Sequence, residues 1–341
     1  MRKAAAITAL TAGAIILAGC SGASPGGESA VDPGADAQQV TIAMVTSACL
    51  PMYPTYVAHD LGYFAENGLD VEIQPVNGSA AVLQALLSEQ ADIGTPGATP
   101  LIFSAVEGQD VKYVANTMPG GAFSLITPSE TGIAAASDLA GKTIGVSTAD
   151  GGEVAFLKAV MQAEGLEDGD YEILVVGEGG QAVAGFSRGD IDAFAASPEG
   201  VAVLATSGLD IQDVSGTSTG HMFGNGLAAT GAFIEANGET IGAFGEAFHR
   251  AAEYGMENPD EVLEICGRYQ PQEIEDPEFA EAMLEAFAKS QTSPDGAEFG
   301  YNNPEHWQRI VDDLVAAGEL DEGAIQVDAL FTNDFVEAFN K

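Results

Sequence analysis

Positive charge is what this sequence has least of: 11 Lys and Arg stand against 51 Asp and Glu, a formal net charge of −40. Such a surface repels phosphate backbones, which excludes nucleic acid as a partner, and it favours solubility, at high salt included. Cysteine is nearly absent, with three residues. No CxxC or HxxxH pair occurs, and His59, His221, His249 and His306 are scattered, so neither a transition-metal site nor a bound cofactor is expected. Long apolar runs are missing too. The main one, Ala4 to Gly19, is shorter than the ~20 residues that span a bilayer. Behind Arg2 and Lys3 it reads as an export signal rather than a membrane helix.

Leu17-Ala18-Gly19-Cys20 resembles the bacterial lipoprotein signal, in which cleavage after a small residue leaves a Cys to receive lipid. Residues 1–19 are therefore expected to be removed and Cys20 to carry the anchor. Residues 20–39 are Gly, Ser, Pro and Ala with a few acids, a composition that suits a flexible tether because it cannot bury enough apolar surface to fold. Export permits a disulfide between the two remaining cysteines, Cys49 and Cys266, but the sequence leaves their pairing open.

The stretch Asp60 to Pro100 organises the rest of the chain. Val71, Ile73 and Pro75 alternate with Glu72 and Gln74, the period of a strand. Asn77-Gly78-Ser79 breaks it, and the Ser79 hydroxyl is placed to cap a helix whose apolar face is Val82, Leu83, Leu86 and Leu87. Ala91-Asp92-Ile93-Gly94 is a second short strand. About one hundred residues later the pattern returns. Asp170-Tyr171-Glu172-Ile173 matches Asp70-Val71-Glu72-Ile73, a Gly turn at Gly177 to Gly180 comes next, and Asp190-Ile191 matches Asp92-Ile93. βαβ units share turn chemistry, so coincidence is the alternative. A true repeat predicts two similar α/β lobes. The carboxyl ends of parallel strands gather loops into a binding crevice, and two such lobes facing each other enclose a ligand.

Around the repeat, Val40 to Val45, Val111 to Ala115, Ala193 to Ser197 and Leu209 to Val214 read as strands, Asp138 to Val146 as a turn and strand, and Ala155 to Ala163 as a helix. After an extended, Ala-rich Gly226 to Phe233 the chain changes to long acidic amphipathic helices. Their apolar stripes, such as Ile241, Phe244 and Phe248 or Trp307, Ile310 and Leu314, are read as core faces.

Two catalytic motifs occur. Gly185-Phe186-Ser187-Arg188-Gly189 fits G-x-S-x-G, but that motif needs a strand before the Ser and a helix after it, and here the order is reversed. Gly177-Glu178-Gly179-Gly180-Gln181-Ala182 fits G-x-G-x-x-A after a strand, yet Glu178 would face a pyrophosphate with no basic residue nearby. A ligand-facing turn is the simpler reading.

The run GYFAENGLDVEIQPVNGSAAVLQALLSEQADIGTPGATP, together with DLAGKTIGV, RGDIDAFAAS and the tail HWQRIVDDLVAAGELDE…LFTNDF, resembles solute-binding proteins of ABC importers, above all those for sulfonates, nitrate and thiamine-precursor pyrimidines. The resemblance covers nearly all of residues 40–341. It implies an α/β, two-lobed, type II periplasmic-binding-protein fold with a mixed sheet flanked by helices in each lobe. Lobe I would comprise 40–125 and, after a return, 229–341 with the final helices; lobe II would be 126–228. The implied molecule is a monomer held by lipid on the outer face of the cell membrane. It closes on a small nutrient and delivers it to an ABC permease without changing it. Some relatives of the family make thiamine pyrimidine as enzymes, but their Cys-rich segment has no counterpart here.

The loops at the expected strand ends are TSACLPMY, NGS, TPGAT, PGGAF, STADGGE, GEGGQ and ASPEG. They nominate Ser47, Tyr53, Gly78, Ser79, Thr95, Gly97, Thr99, Phe123, Thr148, Asp150, Gly152, Glu178, Ser197 and Glu199 as ligand-binding residues. These loops contain no Lys or Arg, the usual partners of a sulfonate or carboxylate, although helix N-termini at Ser79 and Gly152 offer N–H groups to an anion. A neutral or cationic polar aromatic ligand is therefore expected, such as a thiamine-precursor pyrimidine. Tyr53 and Phe123 would stack on it, and Asp150, Glu178 or Glu199 would accept from its amino groups. Sulfonate, taurine or nitrate is the alternative.

Overall fold

A computed structural model describes residues 33–149, 152–216, 221–293 and 296–341. Cys20 and the expected leader lie outside the described residues, as does Asp150.

Among the described residues, ten strands form two mixed five-stranded sheets. They are β1 (Gln38–Met44), β2 (Leu69–Pro75), β3 (Ile93–Gly94), β4 (Val111–Asn116), β5 (Ser124–Pro128), β6 (Thr143–Val146), β7 (Glu172–Val175), β8 (Ala193–Ala196), β9 (Ile211–Asp213) and β10 (Gly226–Thr230). The strand orders are β2-β1-β3-β10-β4 and β7-β6-β8-β5-β9. In each sheet one strand runs against the rest: β10 in the first, β5 in the second. The helices are α1 (Tyr53–Asp60), α2 (Tyr63–Glu66), α3 (Gly78–Leu87), α4 (Ala98–Val106), α5 (Gly152–Ala163), α6 (Gly180–Arg188), α7 (Pro198–Thr206), α8 (Gly231–Ala236), α9 (Gly238–Glu257), α10 (Pro259–Tyr269), α11 (Pro277–Gln291), α12 (Pro304–Ala316) and α13 (Val336–Phe339).

The two sheets repeat one plan. Thr41 and Ile42 pair with Glu72 and Ile73 in the first sheet, as Thr143 and Ile144 pair with Glu172 and Ile173 in the second. The partner of Asp92 is Asp192, not Asp190 as the Asp-Ile match suggested. Asp92 and Asp192 each stand directly before the next strand and contact Thr41 and Thr143, whereas the side chain of Asp190 pairs with Arg188. Both sheets are covered on two faces. In lobe I, Ile42, Tyr53 and Phe244 lie in one apolar cluster and Val82, Leu101 and Trp307 in another. In lobe II, Ile144, Phe156 and Leu157 fill one cluster and Ile126, Phe194 and Leu204 the other.

The chain changes lobe in the segments 117–123 and 214–225. The expected boundaries at 125/126 and 228/229 fall inside β5 and β10, because these strands begin as soon as the backbone can join its sheet: Ser124 pairs with Ala196 and Gly226 with Asn116. The tether expected to run to Gln39 likewise ends sooner, since Gln38 and Gln39 pair with Leu69 and Asp70. Among the late helices, α11 packs on α7 of lobe II rather than on the first lobe alone, with Met283 and Leu284 in one cluster with Ala202.

Candidate functional site

The direction of the strands decides where a ligand can sit. The first crossover leaves the carboxyl end of β4 and enters β5, which is antiparallel to β8, so it arrives beside the carboxyl end of β8. The second leaves the carboxyl end of β9 and enters β10, antiparallel to β3 and β4, beside their carboxyl ends. Both crossovers therefore join the carboxyl edge of one sheet to the carboxyl edge of the other. They are hydrogen-bonded at both ends: Gly224 N–H donates to Met118 O over 3.0 Å and Val214 N–H to Leu125 O over 2.8 Å. This is the crevice geometry of open α/β sheets, doubled and hinged.

On the lobe I side, three loops are stitched into one rim. The Thr95 hydroxyl accepts from Val45 N–H at 3.1 Å, and Gly97 N–H donates to Ser79 Oγ at 3.0 Å. Asn225 of the second crossover donates to Thr95 O at 2.8 Å. Ser79 thus does not cap its own helix. Asn77 holds the N-cap position without a side-chain bond, and the Ser79 hydroxyl serves the neighbouring loop. Gly78 has φ +82°, a left-handed conformation that an L side chain rarely adopts, and no atom lies within 4 Å of where its Cβ would stand. It makes a tight turn with open space where a side chain would stand. Thr99, in the first turn of α4, is half-buried.

Ser47 is exposed, and its carbonyl accepts from Tyr56 Oη (3.1 Å) and Gln270 Nε2 (2.9 Å). Tyr53, expected to stack on the ligand, lies in the core instead. Its ring is fully buried in lobe I and its hydroxyl donates to Ala252 O at 3.0 Å. Burial also pushes its pKa up. The physical reason lies in α9: Gly255 has no Cβ, and one placed there would stand 2.2 Å from the Tyr53 ring. The glycine opens a slot that draws the ring inward, away from any ligand.

On the lobe II side, Phe123, Thr148 and Gly152 are brought together. A Cβ at Gly152 would lie 3.1 Å from the edge of the half-buried Phe123 ring, so the ring rests on the first turn of α5. Thr148 is exposed, and its N–H and Oγ both donate to Glu153 Oε1, at 2.9 and 3.0 Å. Glu153 is buried and holds this loop in shape. Ser197 Oγ accepts from Gly200 N–H at 3.1 Å and caps α7. Glu178 and Glu199 are exposed, after β7 and in the first turn of α7. Ser187 of the G-x-S-x-G run lies within α6, with its Oγ donating to Val183 O, so no nucleophile elbow is formed.

One contact went unseen in the sequence, and one pairing it left open is now decided. Glu273, which comes after α10, places its carboxylate on Cys49 N–H (2.9 and 3.0 Å) and Leu50 N–H (2.9 Å), at the start of the short 3-10 turn that leads into α1. The chain's own anion fills that terminus. Burial raises its pKa and the backbone N–H bonds oppose the rise. Beside it Cys49 and Cys266 form a disulfide, with Cα atoms 5.3 Å apart. Neither contact has a local signal, since the partners are more than two hundred residues apart. Among the described residues, no helix is long and apolar enough to cross a membrane, and no group of three or more His, Cys, Asp and Glu is placed to hold a metal.

These two hinged α/β lobes have the architecture of periplasmic binding proteins. Residues 51–262 match the family described as NMT1/THI5 like, and the chain belongs to that family. It is 26% identical over 305 residues to the riboflavin-binding protein RibY of Chloroflexus aurantiacus, covering 88% of this chain and 86% of that one. It is 27% identical over 286 residues to a formylaminopyrimidine-binding protein of Halalkalibacterium halodurans, covering 80% and 84%. The structure of the periplasmic aliphatic sulphonate binding protein SsuA from Escherichia coli superposes with a TM-score of 0.66 at 16% identity, over 86% of this chain and 91% of that one.

Proposed function

We propose that this protein is the solute-binding component of an ABC importer and that its nutrient is a neutral or cationic polar heteroaromatic compound. The observation that carries the reading is the sign of the cleft. Its rim is built from hydroxyls, backbone N–H groups and glycines, with exposed Glu178 and Glu199, and Glu273 already occupies the start of the 3-10 turn before α1. Sulfonate or nitrate would meet carboxylates in these loops and no guanidinium. Two relatives named for riboflavin and formylaminopyrimidine, both heteroaromatic, support the same class.

In this reading the Phe123 ring stacks on the solute from lobe II, and Asp150, Glu178 or Glu199 accepts its N–H groups. Ser47, Gly78, Ser79, Thr95, Gly97 and Thr99 present polar groups from lobe I, and Thr148, Gly152 and Ser197 from lobe II. Closure about the paired crossovers then presents both lobes to a permease. The solute leaves unchanged, the protein acts as a monomer, and Cys20 carries the lipid that keeps it at the outer face of the membrane.

Isothermal titration with an aminopyrimidine, riboflavin, taurine and nitrate tests the ligand. Binding of a heteroaromatic compound at micromolar Kd or tighter is expected (about −8 kcal/mol). Tight taurine binding with none to either ring compound overturns the ligand class. Mass spectrometry of the incubated solute checks for turnover, and loss of membrane retention in Cys20→Ser checks the anchor.

A further inference from the structure

Thr46 and Thr148 hold equivalent places in the repeat, each two residues beyond its strand, β1 in lobe I and β6 in lobe II. Their hydroxyls are committed in opposite senses. Thr46 Oγ accepts from Ala48 N–H at 3.1 Å, which uses a lone pair and leaves its hydrogen to give. Thr148 Oγ lies 3.0 Å from Glu153 Oε1, and a carboxylate only accepts, so Thr148 places its hydrogen there. Both lone pairs of the exposed Thr148 hydroxyl remain for a solute.

The carboxylate makes the difference between the lobes. Glu153 stands in the first turn of α5 and is 6% exposed. Its Oε1 also takes Thr148 N–H, at 2.9 Å. Backbone and hydroxyl of Thr148 are thus held by one oxygen, and turning the hydroxyl hydrogen outward would leave a buried acceptor underpaired. Gly152, the neighbour of Glu153, carries the Phe123 ring. The acceptor therefore belongs to the same helix start as the aromatic surface.

We propose that Glu153 is a positioning residue of the nutrient cleft: it fixes the Thr148 hydroxyl as an acceptor and so selects solutes that bring an N–H or O–H to lobe II. The inference rests on the cleft and the nutrient class proposed above. It narrows that class to compounds with a donor on one edge and an acceptor on another, the acceptor facing Thr46. An aminopyrimidine has both, in its amino group and its ring nitrogens. A sulfonate or nitrate group brings only lone pairs, which a hydroxyl without a hydrogen to give cannot bind.

The test is isothermal titration of the purified protein with an aminopyrimidine and with the methylpyrimidine that carries CH3 in place of NH2. The unaltered protein is expected to prefer the amino compound by about tenfold or more. Thr148→Val replaces the hydroxyl by a methyl group and is expected to shrink that preference about fivefold or more. Glu153→Gln keeps an amide oxygen for both Thr148 bonds and is expected to hold the preference within about twofold. Glu153→Leu, with its fold checked by circular dichroism, is expected to lose it, because the hydroxyl hydrogen is released. Equal binding of the two rings by the unaltered protein, or an unchanged preference in Thr148→Val or Glu153→Leu, overturns this proposal alone. Binding of neither ring overturns the nutrient class, and this proposal with it.

Discussion

Asp92 and Asp192 perform the same task in the two lobes. The Asp92 carboxylate accepts from Thr41 N–H at 2.8 Å while its own N–H returns to Thr41 O at 2.9 Å. Asp192 repeats both bonds with Thr143, at 3.0 and 2.7 Å. Each aspartate locks the strand it precedes to the one beside it, and in lobe II it also holds Lys142 at 3.1 Å. Replacing either by Ala removes a charge-assisted bond to a strand N–H and is expected to cost about 1–3 kcal/mol. The sites sit in different sheets and share no partner, so the two losses are expected to add within about 0.5 kcal/mol. Urea unfolding of the two single variants and the double variant checks this.

The Cys49–Cys266 bond closes a chain segment with a sequence separation of 217 and joins the loop after β1 to α10. Cys266→Ser, or reduction under native conditions, is expected to lower stability by about 2–5 kcal/mol. Thermal unfolding with and without reductant measures the loss. Thiol labelling before reduction should find neither cysteine reactive.

Phe123, proposed to stack on the solute, and Tyr53, buried in lobe I, are expected to respond differently to substitution. Phe123→Ala is expected to weaken heteroaromatic binding about tenfold or more while leaving the fold intact. Tyr53→Phe is expected to leave affinity unchanged and to cost about 1–2 kcal/mol, because Ala252 O loses its donor. Titration calorimetry and urea melts on both variants distinguish the two roles.

Gly255→Ala probes the slot that holds the Tyr53 ring. A Cβ 2.2 Å from that ring forces a shift in α1 or α9, with an expected loss of about 1–3 kcal/mol. Little or no loss in the urea midpoint would show that the ring can move without penalty.

His59 gives the fold a pH dependence of known sign. Burial lowers its pKa below the ordinary 6.5, against the opposing pull of Asp60 and Asp70, and its Nδ1 lies 2.9 Å from the Tyr269 hydroxyl. The unfolded chain binds this proton more readily than the folded one. Stability is therefore lost as pH falls from the ordinary value towards the lowered one, and is regained on raising it. Between about pH 7.5 and about pH 5, the urea midpoint of the unaltered protein is expected to fall more steeply than that of His59→Gln.

The periodicities that carry the fold were plain in the residues. Val71 and Ile73 alternate as β2 requires, and Ile241, Phe244 and Phe248 of α9 and Trp307 and Ile310 of α12 are buried as their spacing predicts, while Met256 at the end of the α9 stripe is exposed. The repeat was also legible, but its last step slipped by two residues because Asp190-Ile191 copies the dipeptide Asp92-Ile93 while Asp192 copies its bonding. The rim residues Ser79, Thr95 and Gly97 were nominated one by one, and only the fold shows them joined. What stayed hidden is what depends on distant partners. Tyr53 reads as a loop aromatic until Gly255 is seen beside it. Glu273 escapes a survey of strand-end loops because it arrives after a late helix.

The bond between Val214 N–H and Leu125 O has a consequence for how such a protein can be taken apart. The second sheet is entered once and left once, at neighbouring points, so residues 124–213 are an uninterrupted insert with its ends side by side. A gene with that insert cut out and the gap bridged by a few glycines would still encode every strand of the first sheet, in order. The opposite cut leaves two fragments of lobe I that must find each other. In construction, one half of the molecule is host and the other is guest.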